Sequence, residues 1–334
     1  MRPFMYARPS TVAEAVGALN GAGPAARVLA GGTTLYDLMK LEIETPPVVL
    51  DIHRIAELTT IKTTGSTELV FGAGARMSDV ADDPIVRSEY PALSESLWHA
   101  ASQQLRNMAT LGGNLLQRTR CGYFRGGPTF ACNKRNPGSG CDARGGIDTA
   151  HAVLGTSESC IATYPGDLAA ALVAFDAVVD VASVRGERTI AVAELHREPG
   201  DTPEWENTLE ADELVIRIRV PVTRVGRAST YLKIRPRESY AFALAAAAVA
   251  LELREDGKVA DCRIALGGVA TRPWRAGDAE RSLIGKALTP DASRRAGEIA
   301  FAGARPGRLN GFKIELGTRT VVDALRIAGE RVSR

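Results

Sequence analysis

RVLAGGTTLYDLMKLE, residues 27–42, decides the N-terminal fold. Arg27–Leu29 predicts a short strand, the adjacent glycine pair predicts a tight turn, and Tyr36–Glu42 has the spacing of a helix. Val48–Ile52 predicts a second strand, which gives a β-α-β start. At the turn, backbone N–H groups can point at a phosphate, and glycines allow its close approach. A plain tight turn would give the same pattern, so this stretch alone leaves both interpretations open.

A second glycine turn lies in QLRNMATLGGNL, residues 104–115. It follows predicted helices at Met77–Asp82 and Tyr90–Ala101. It adds two short polar side chains, Thr110 and Asn114, which can hydrogen-bond phosphate or ribityl oxygens. Two such turns favour a dinucleotide more strongly than either turn alone. Neither matches GxGxxG, so we do not expect an ordinary Rossmann nicotinamide site.

Four cysteines, Cys121, Cys132, Cys141 and Cys160, lie within forty residues, and the one other cysteine, Cys262, is expected in a core strand. Two disulfides are disfavoured, because disulfide scaffolds belong to small secreted domains and this long chain begins without a hydrophobic leader. Four thiolates suit zinc, but zinc sites usually bring their ligands in close CxxC pairs. Here ten, eight and eighteen residues separate successive cysteines, enough to wrap a loop around a larger group. The spacing therefore favours an iron–sulfur cluster over zinc.

The segment RTRCGYFRGGPTFACNKRNPGSGCDAR, residues 118–144, carries six basic side chains against the single acid Asp142. Its glycines and prolines predict an irregular loop without a long helix. A cubane held by four thiolates is a net anion, so nearby cations would favour its reduced form. A solvated basic loop, a phosphate-binding patch or a subunit-docking patch would carry the same charges, and these alternatives stay open.

The composition agrees with a soluble enzyme rather than a tail or a membrane protein. The chain has 334 residues, of which 45% are hydrophobic and 24% charged, and its net charge is +2, so two or three domains are expected. The sequence has no basic arm, repeat or low-complexity tract, so we expect no nucleic-acid partner. The most apolar stretch, residues 241–253, is too short to span a bilayer, so we expect no membrane insertion. The four scattered histidines do not predict a histidine–metal centre.

The C-terminal part is predicted to mix strands and helices. Strands are expected at Ser229–Ile234 and Val259–Leu266. Helix-like spacing occurs in four segments, Phe242–Glu252, Ala276–Leu283, Asp291–Ala302 and Thr318–Glu330.

Four segments carry a resemblance to a known family: AGGTTL (30–35), RNMATLGGNL (106–115), YPGDLAAAL (164–172) and YLKIRPRESYAFALAAAA (231–248). They occur in the order found in flavin subunits of molybdenum hydroxylases, the xanthine dehydrogenase and carbon monoxide dehydrogenase family. The similarity extends over nearly the whole chain, including LGGVATRPWR (266–275). In most members the aspartate turn closely follows the GGN turn, whereas here an insertion with all four clustered cysteines separates them. The segments LLQRTRC, CNKR, PGSGC and ESCIAT of this insertion resemble those of bacterial periplasmic-type aldehyde oxidoreductases. The flavin subunit of that branch carries an additional [4Fe-4S] cluster.

The resemblance implies FAD as a cofactor and assigns residues to it. The first turn would wrap the pyrophosphate with Leu29, Ala30, Gly31, Gly32, Thr33, Thr34 and Leu35. Thr110, Gly113 and Asn114 would form a second phosphate and ribityl wall. Asp167 would bind a cofactor hydroxyl, and Lys233 would lie near the isoalloxazine or a phosphate. The local sequence explains Asp167 equally well as a helix cap, and Lys233 as a surface lysine on a strand.

The resemblance also implies that Cys121, Cys132, Cys141 and Cys160 ligate the [4Fe-4S] cluster. Cys160 is the least obvious ligand, because a buried structural thiol would fit its apolar surroundings. The ESCIAT segment favours ligation and supplies the fourth thiolate that a cubane normally needs. No side chain is expected to act as a catalytic acid or base on the substrate.

The implied fold is α+β, with a two-part FAD-binding domain of the vanillyl-alcohol-oxidase-like type followed by an antiparallel sheet with a small helical bundle. The FAD-binding domain would cover residues 1–223, with subdomains of about 1–55 and 56–223 and a cluster-binding insertion at about 116–162. The C-terminal domain would cover residues 224–334.

The implied function is electron transfer in a molybdenum-dependent aldehyde oxidoreductase, with electrons passing from partner iron–sulfur clusters through FAD to an external acceptor. A large partner subunit would carry the molybdenum cofactor, and a small one would carry two [2Fe-2S] clusters. We expect assembly in the cytoplasm and a location either there or, through co-export with a partner subunit, in the periplasm. Two alternatives stay open: a zinc-stabilised, non-enzymatic docking scaffold, and a stand-alone FAD oxidase.

Overall fold

The computed structural model describes residues 1–65 and 67–332 of the chain. The strands are β1 (Met5–Ala7), β2 (Arg27–Leu29), β3 (Val48–Asp51), β4 (Ile61–Lys62), β5 (Glu68–Gly72), β6 (Val178–Ser183), β7 (Gly186–Ala191), β8 (Leu214–Pro221), β9 (Ser229–Ile234), β10 (Ala245–Leu253), β11 (Val259–Gly267) and β12 (Trp274–Arg275). The helices are α1 (Val12–Ala22), α2 (Leu35–Lys40), α3 (Met77–Asp82), α4 (Pro84–Glu89), α5 (Pro91–Trp98), α6 (Gln103–Arg106), α7 (Leu111–Leu115), α8 (Gly122–Arg125), α9 (Leu168–Ala174), α10 (Val192–Leu195), α11 (Gly277–Leu283), α12 (Pro290–Ala300) and α13 (Phe312–Val332). None of these helices combines the length and the apolar character needed to cross a membrane.

The first sheet contains the predicted β-α-β start. Its order is β1-β3-β2, and β2 pairs with β3 in parallel, with Val28 opposite Leu50. Helix α2 connects these two strands, although it is slightly shorter than the spacing predicts. Strand β1 was not expected and pairs with the other edge of β3. The first glycine turn therefore lies at the carboxyl end of β2, where α2 begins.

The second sheet positions the other glycine segment. Within the described residues its order is β4-β5-β8-β6-β7, and all its pairings are antiparallel. Its buried side chains, among them Phe71 and Ile218, belong to the largest core, which also contains residues of α5, α7 and α9. Every residue of α9 is buried. Helix α7 thus rests on a close-packed core, and such interiors yield little to displacement.

The third sheet is the antiparallel sheet with a helical bundle that the resemblance implies. Its order in the described residues is β12-β11-β10-β9. Helices α11 and α13 pack on this sheet, and α12 packs against those two helices. The strands expected at Ser229–Ile234 and Val259–Leu266 are confirmed, and α11 and α12 lie within two residues of the expected bounds. Helix α13 is longer than expected at both ends.

The helix expected at Phe242–Glu252 is wrong, because this segment forms strand β10. Alanine is the best helix former, but tertiary packing overrides such propensities. Ala246 and Ala248 face the largest core, whereas Ala245 and Ala247 face the core beneath α13. Both faces of the strand are buried, so the two-residue alternation that marks a half-exposed strand does not show in the sequence.

The cysteine-containing insertion lies between α7 and α9. Among its described residues, the short helix α8 and a 3-10 turn at Gly127–Thr129 are the regular helices, as its glycines and prolines predict. The insertion is fastened to the C-terminal part: the Asp148 carboxylate accepts hydrogen bonds from the N–H groups of Arg308 at 2.7 Å and Leu309 at 2.8 Å. The irregular loop is therefore held by tertiary contacts rather than by regular secondary structure.

Candidate functional site

The first glycine turn packs directly against the backbone that precedes the second. A Cβ atom added at Gly31 would lie 2.0 Å from the carbonyl oxygen of Met108, so glycine is required there. Gly32 has a φ of +73°, in the left-handed region that favours glycine. In the described part of the chain, the N–H groups of residues 31–34 have no hydrogen-bond acceptor. The turn therefore presents several donors that are free to bind an anion.

The second glycine segment is a short helix rather than a simple turn. Thr110 caps this helix, α7, because its Oγ1 accepts a hydrogen bond from Gly113 N at 3.2 Å. Gly112 N donates to Ala73 O at 2.8 Å, which fixes α7 next to the end of β5. The Oδ1 atom of Asn114 is buried and has no donor among the described residues. The Thr110 hydroxyl thus accepts one hydrogen bond and can still donate its own proton, whereas the Asn114 oxygen lacks a hydrogen-bond donor.

These features fit a cofactor that carries phosphates and hydroxyl groups, as FAD does. The N–H groups of the first turn can donate to phosphate oxygens, and a ribityl hydroxyl can donate to Asn114 Oδ1. The close contact between Gly31 and Met108 O brings the two segments within reach of a single cofactor. The segments Leu29–Leu35 and Thr110–Asn114 therefore adjoin, and their assignment to FAD stays a prediction.

Asp167 and Lys233 lie together in the protein interior. Asp167 Oδ2 accepts a hydrogen bond from Lys233 Nζ at 2.8 Å, and its Oδ1 accepts one from the Tyr231 hydroxyl at 2.6 Å. Lys233 Nζ also donates to the carbonyl oxygen of His99 at 2.9 Å. Lys233 is therefore not a surface lysine. Asp167 occupies the N-cap position of α9, but its side chain makes no capping hydrogen bond.

Tyr231 was not recognised from the sequence. Two-residue periodicity is the signal that could have found it, because residues two apart on strand β9 point to the same face. Burial, and then the neighbouring Asp167 carboxylate, raises the pKa of Tyr231 well above its ordinary value. The hydroxyl therefore stays protonated and donates to Asp167. Two side chains of one strand thus hold this carboxylate in place.

All four clustered cysteines line one small cavity. Cys121, Cys132, Cys141 and Cys160 meet there, although eight to eighteen residues separate successive members along the chain. Cys132 and Cys141 lie opposite each other in an antiparallel bridge. Cys160 is buried but faces the same cavity as the other three. All five cysteines are free thiols, and Cys262 lies in the core of strand β11, as expected.

Burial favours the protonated form of two thiols in this cavity, Cys121 and Cys160. Burial raises the pKa of Cys121 to about 11, although hydrogen bonds from the N–H groups of Phe124 and Tyr123 oppose the shift. Burial also raises the pKa of Cys160, and the Lys134 ammonium opposes this shift. Metals bind the thiolate form, so loading of this site would release protons.

Within residues 1–65 and 67–332, no group of three or more His, Cys, Asp or Glu side chains is placed to hold one metal ion. The four cysteines nevertheless line one cavity, and their assignment to a [4Fe-4S] cluster stays a prediction.

His151 was also missed in the sequence. Its Nε2 lies 3.2 Å from Cys121 Sγ, and its Nδ1 is buried without a partner in the described structure. Burial lowers the pKa of His151, which favours the neutral ring. Thirty residues separate His151 from Cys121, and no motif links them, so only the tertiary fold reveals this contact.

Two family models match the chain. Residues 2–223 match the FAD-binding domain in molybdopterin dehydrogenase, and residues 230–325 match the carbon monoxide dehydrogenase flavoprotein C-terminal domain.

Curated relatives cover nearly the full length. The chain is 44% identical to the aldehyde oxidoreductase FAD-binding subunit PaoB of Escherichia coli (strain K12), over 97% of this chain and 98% of the relative. It is 30% identical to the carbon monoxide dehydrogenase medium chain of Hydrogenophaga pseudoflava, over 98% of each chain.

Solved structures agree with the sequence comparisons. A chain of carbon monoxide dehydrogenase from Hydrogenophaga pseudoflava matches with a TM-score of 0.77 and 30% identity, covering 99% of each chain. A chain of reconstituted carbon monoxide dehydrogenase from Oligotropha carboxidovorans matches with a TM-score of 0.78 and 25% identity, again covering 99% of each chain.

Proposed function

The chain belongs to the FAD-binding subunits of the molybdenum hydroxylases, and from this we propose that it is the electron-transfer subunit of a molybdenum-dependent aldehyde oxidoreductase. In this role it holds FAD and a [4Fe-4S] cluster and conveys electrons from a partner's iron–sulfur clusters through FAD to an external acceptor. The aldehyde class rests on the 44% identity to an aldehyde oxidoreductase subunit. A large subunit with the molybdenum cofactor and a small subunit with two [2Fe-2S] clusters complete the proposed assembly.

One observation carries the cluster assignment: four cysteines from one irregular loop line a single cavity. Thiolates are the usual protein ligands of iron–sulfur clusters. The cavity lies beside helix α2, which starts at the first glycine turn, because Leu38 of α2 packs against Cys132. This proximity supports a second redox centre in the chain that binds the flavin.

Bound FAD would supply the ability to take up electrons one at a time and to release them singly or in pairs. The protein's own task is to bind and orient that group. Residues 31–34 would donate N–H groups to its phosphates, and Asn114 would accept from its ribityl chain. Tyr231 and Lys233 would fix the Asp167 carboxylate for a cofactor hydroxyl. None of these roles requires acid or base catalysis on the aldehyde.

We assign residues 1–223 to the FAD-binding unit and residues 224–334 to the C-terminal unit. Strand β8 ends at Pro221 and β9 begins at Ser229, so the division falls in a connecting segment. Within the first unit, the N-terminal sheet corresponds to subdomain 1–55, and residues 116–162 form the cluster-binding insertion.

The proposal is tested by the content of iron, zinc, sulfide and FAD in anaerobically purified protein, together with its visible spectrum and its co-purifying chains. About four irons and four sulfides per FAD, the content of one cubane, would support it. One zinc without flavin would overturn it in favour of a docking scaffold. FAD without iron, in a chain that oxidises substrate alone, would overturn it in favour of a stand-alone oxidase.

A further inference from the structure

Helix α2 links the first glycine turn to the cysteine cavity. It begins at Leu35, directly after the turn, and its Leu38 packs with Phe124 and Cys132 in one buried cluster. Packed interiors transmit displacement, so a shift of this short helix would displace both the first glycine turn and the wall of the cysteine cavity. The turn and the cavity therefore share one structural support.

Arg120 reaches from the cysteine loop to the same turn. Its Nη2 lies 3.4 Å from Thr34 Oγ1, and its guanidinium lies over the ring of Phe242 at 5.3 Å. Its Nε is buried and has no acceptor among the described residues. A guanidinium carries five N–H donors in a fixed fork that matches phosphate oxygens. Arg120 thus has an N–H donor without an acceptor, and it lies beside a turn whose own N–H groups are also unpaired.

The charges around this arginine leave a positive excess. The Asp37 carboxylate lies 3.6 Å from Arg120 Nη1 and 2.7 Å from Arg125 Nη2, so two guanidinium groups share one carboxylate. Burial, and then the charge of Arg125, lowers the pKa of Arg120. Arginine nevertheless stays protonated in proteins. An anionic group bound at the turn would balance this excess.

We propose that Arg120 binds the diphosphate of the flavin cofactor together with the first glycine turn. This inference rests on the proposed function, because it requires that the turn binds FAD. The Thr34 hydroxyl orients one edge of the guanidinium, and Phe242 supports its face, so the remaining N–H groups are held for phosphate oxygens. Hydrogen bonds of this charge-assisted kind are about twice as strong as neutral ones.

Cluster loading and flavin affinity are then coupled. Arg120 directly precedes Cys121, a proposed cluster ligand, and Cys121 N donates to Thr119 Oγ1 at 3.2 Å. A bound cluster fixes the backbone around Arg120 and Cys121. FAD binding then has to order less of this loop. By linkage, FAD and the cluster must raise each other's affinity by the same factor.

The test measures FAD affinity by flavin fluorescence in the full-length chain after flavin removal, with the iron content determined in every sample. Arg120→Gln is expected to raise the Kd for FAD about 10- to 100-fold, the usual range for loss of a hydrogen bond to a charged group. Arg120→Lys keeps the charge but loses the forked guanidinium, so its Kd should lie between those of the wild type and Arg120→Gln. A Kd for Arg120→Gln within about twofold of the wild type would overturn the inference.

Arg125→Gln is the matched control, because Arg125 lies on the same loop and pairs with the same carboxylate but does not contact Thr34. It should raise the Kd less than Arg120→Gln does, because it removes one charge of the positive excess but no contact with the turn, and an equal loss in both variants would overturn the specific assignment. Removal of the cluster should also raise the Kd of the wild-type protein for FAD. In Arg120→Gln, removal of the cluster should raise the Kd for FAD by a smaller factor than it does in the wild type. Equal losses would overturn the coupling.

The outcomes separate this inference from the proposed function. If wild-type protein binds neither FAD nor iron, the proposed function fails, and the inference fails with it. If it binds both and Arg120→Gln binds FAD equally well, only the inference fails. If Arg120→Gln loses iron or folds poorly, the Kd values of Arg120→Lys and of the cluster-free wild-type protein for FAD still test the inference.

Discussion

Lys233 Nζ lies 2.8 Å from Asp167 Oδ2, and the two side chains are only 1% and 6% exposed. Removal of one partner from a buried ion pair leaves an uncompensated charge, which typically costs about 3–5 kcal/mol. We therefore expect Asp167→Ala to lower the free energy of unfolding by roughly that amount, measured by chemical denaturation of the full-length chain.

Asp278→Ala is the control for this experiment, since Asp278 and its partner Arg281 are 80% and 74% exposed. Exposed pairs contribute about 0–1 kcal/mol, so its effect should be small. The double variant Asp167→Leu with Lys233→Met should recover part of the loss, because no buried charge remains. If Asp167→Ala is no more destabilising than Asp278→Ala, the pair is not buried in solution as the structure has it.

Gly31→Ala should strongly reduce flavin content. The new Cβ would lie 2.0 Å from Met108 O, a backbone atom, so the two glycine segments must separate. The control is Gly21→Ala in α1, where nothing lies within 4 Å and alanine favours the helix by up to about 1 kcal/mol. FAD per chain, read from the visible spectrum, should fall in the first variant and stay constant in the second. Equal flavin content in both would contradict the proposed cofactor site.

The two glycine segments and the short strands around them could be predicted because their signals are local. A strand, a glycine pair and helix spacing within 27–42 are enough to indicate a β-α-β unit, whatever the rest of the chain does. Strand β10 could not be predicted in the same way. Its alanines favour a helix, and only the cores on its two faces make a strand more stable.

The candidate site, too, could be predicted from the sequence only in part. The cysteines could be recognised by residue type and spacing, but neither reveals that His151 would approach Cys121. The burial of Lys233 also depends on tertiary structure, since a lysine on a strand is usually exposed. Its ammonium is stable in the interior because Asp167 and the His99 carbonyl meet it there. Those partners come from segments more than sixty residues away in sequence.

Cys132→Ser should lower the iron content per chain, because the cavity would lose one of its four sulfur ligands. Alcohols are poor ligands for iron–sulfur clusters compared with thiolates. Cys262→Ser is the matched control: that thiol is 2% exposed in the core of strand β11 and does not line the cavity. Iron per chain, measured on anaerobically purified protein, should fall only for Cys132→Ser. Unchanged iron in that variant would remove Cys132 from the ligand set.

Lys313 gives the chain a pH-dependent stability. Its side chain is fully buried, its Nζ donates to Gly268 O at 2.8 Å, and no carboxylate among the described residues forms an ion pair with it. Burial lowers its pKa from 10.5 to about 8. Between these two values the unfolded chain binds more protons than the folded chain, so the free energy of unfolding rises with pH in this window. Below about pH 8 both states are protonated, and the full penalty remains.

Lys313→Met removes this penalty and should therefore abolish the rise. We expect the stability difference, variant minus wild type, to fall by about 2–3 kcal/mol between pH 7 and pH 10, at 1.36 kcal/mol per pKa unit. The lost hydrogen bond to Gly268 O adds a constant offset, and other groups that titrate in this range cancel because both chains contain them. Lys286→Met, at an exposed lysine, should show little change in the same difference. If the Lys313→Met difference is equally flat from pH 7 to pH 10, then the amine has an ordinary pKa in solution and the Lys313 side chain must reach water.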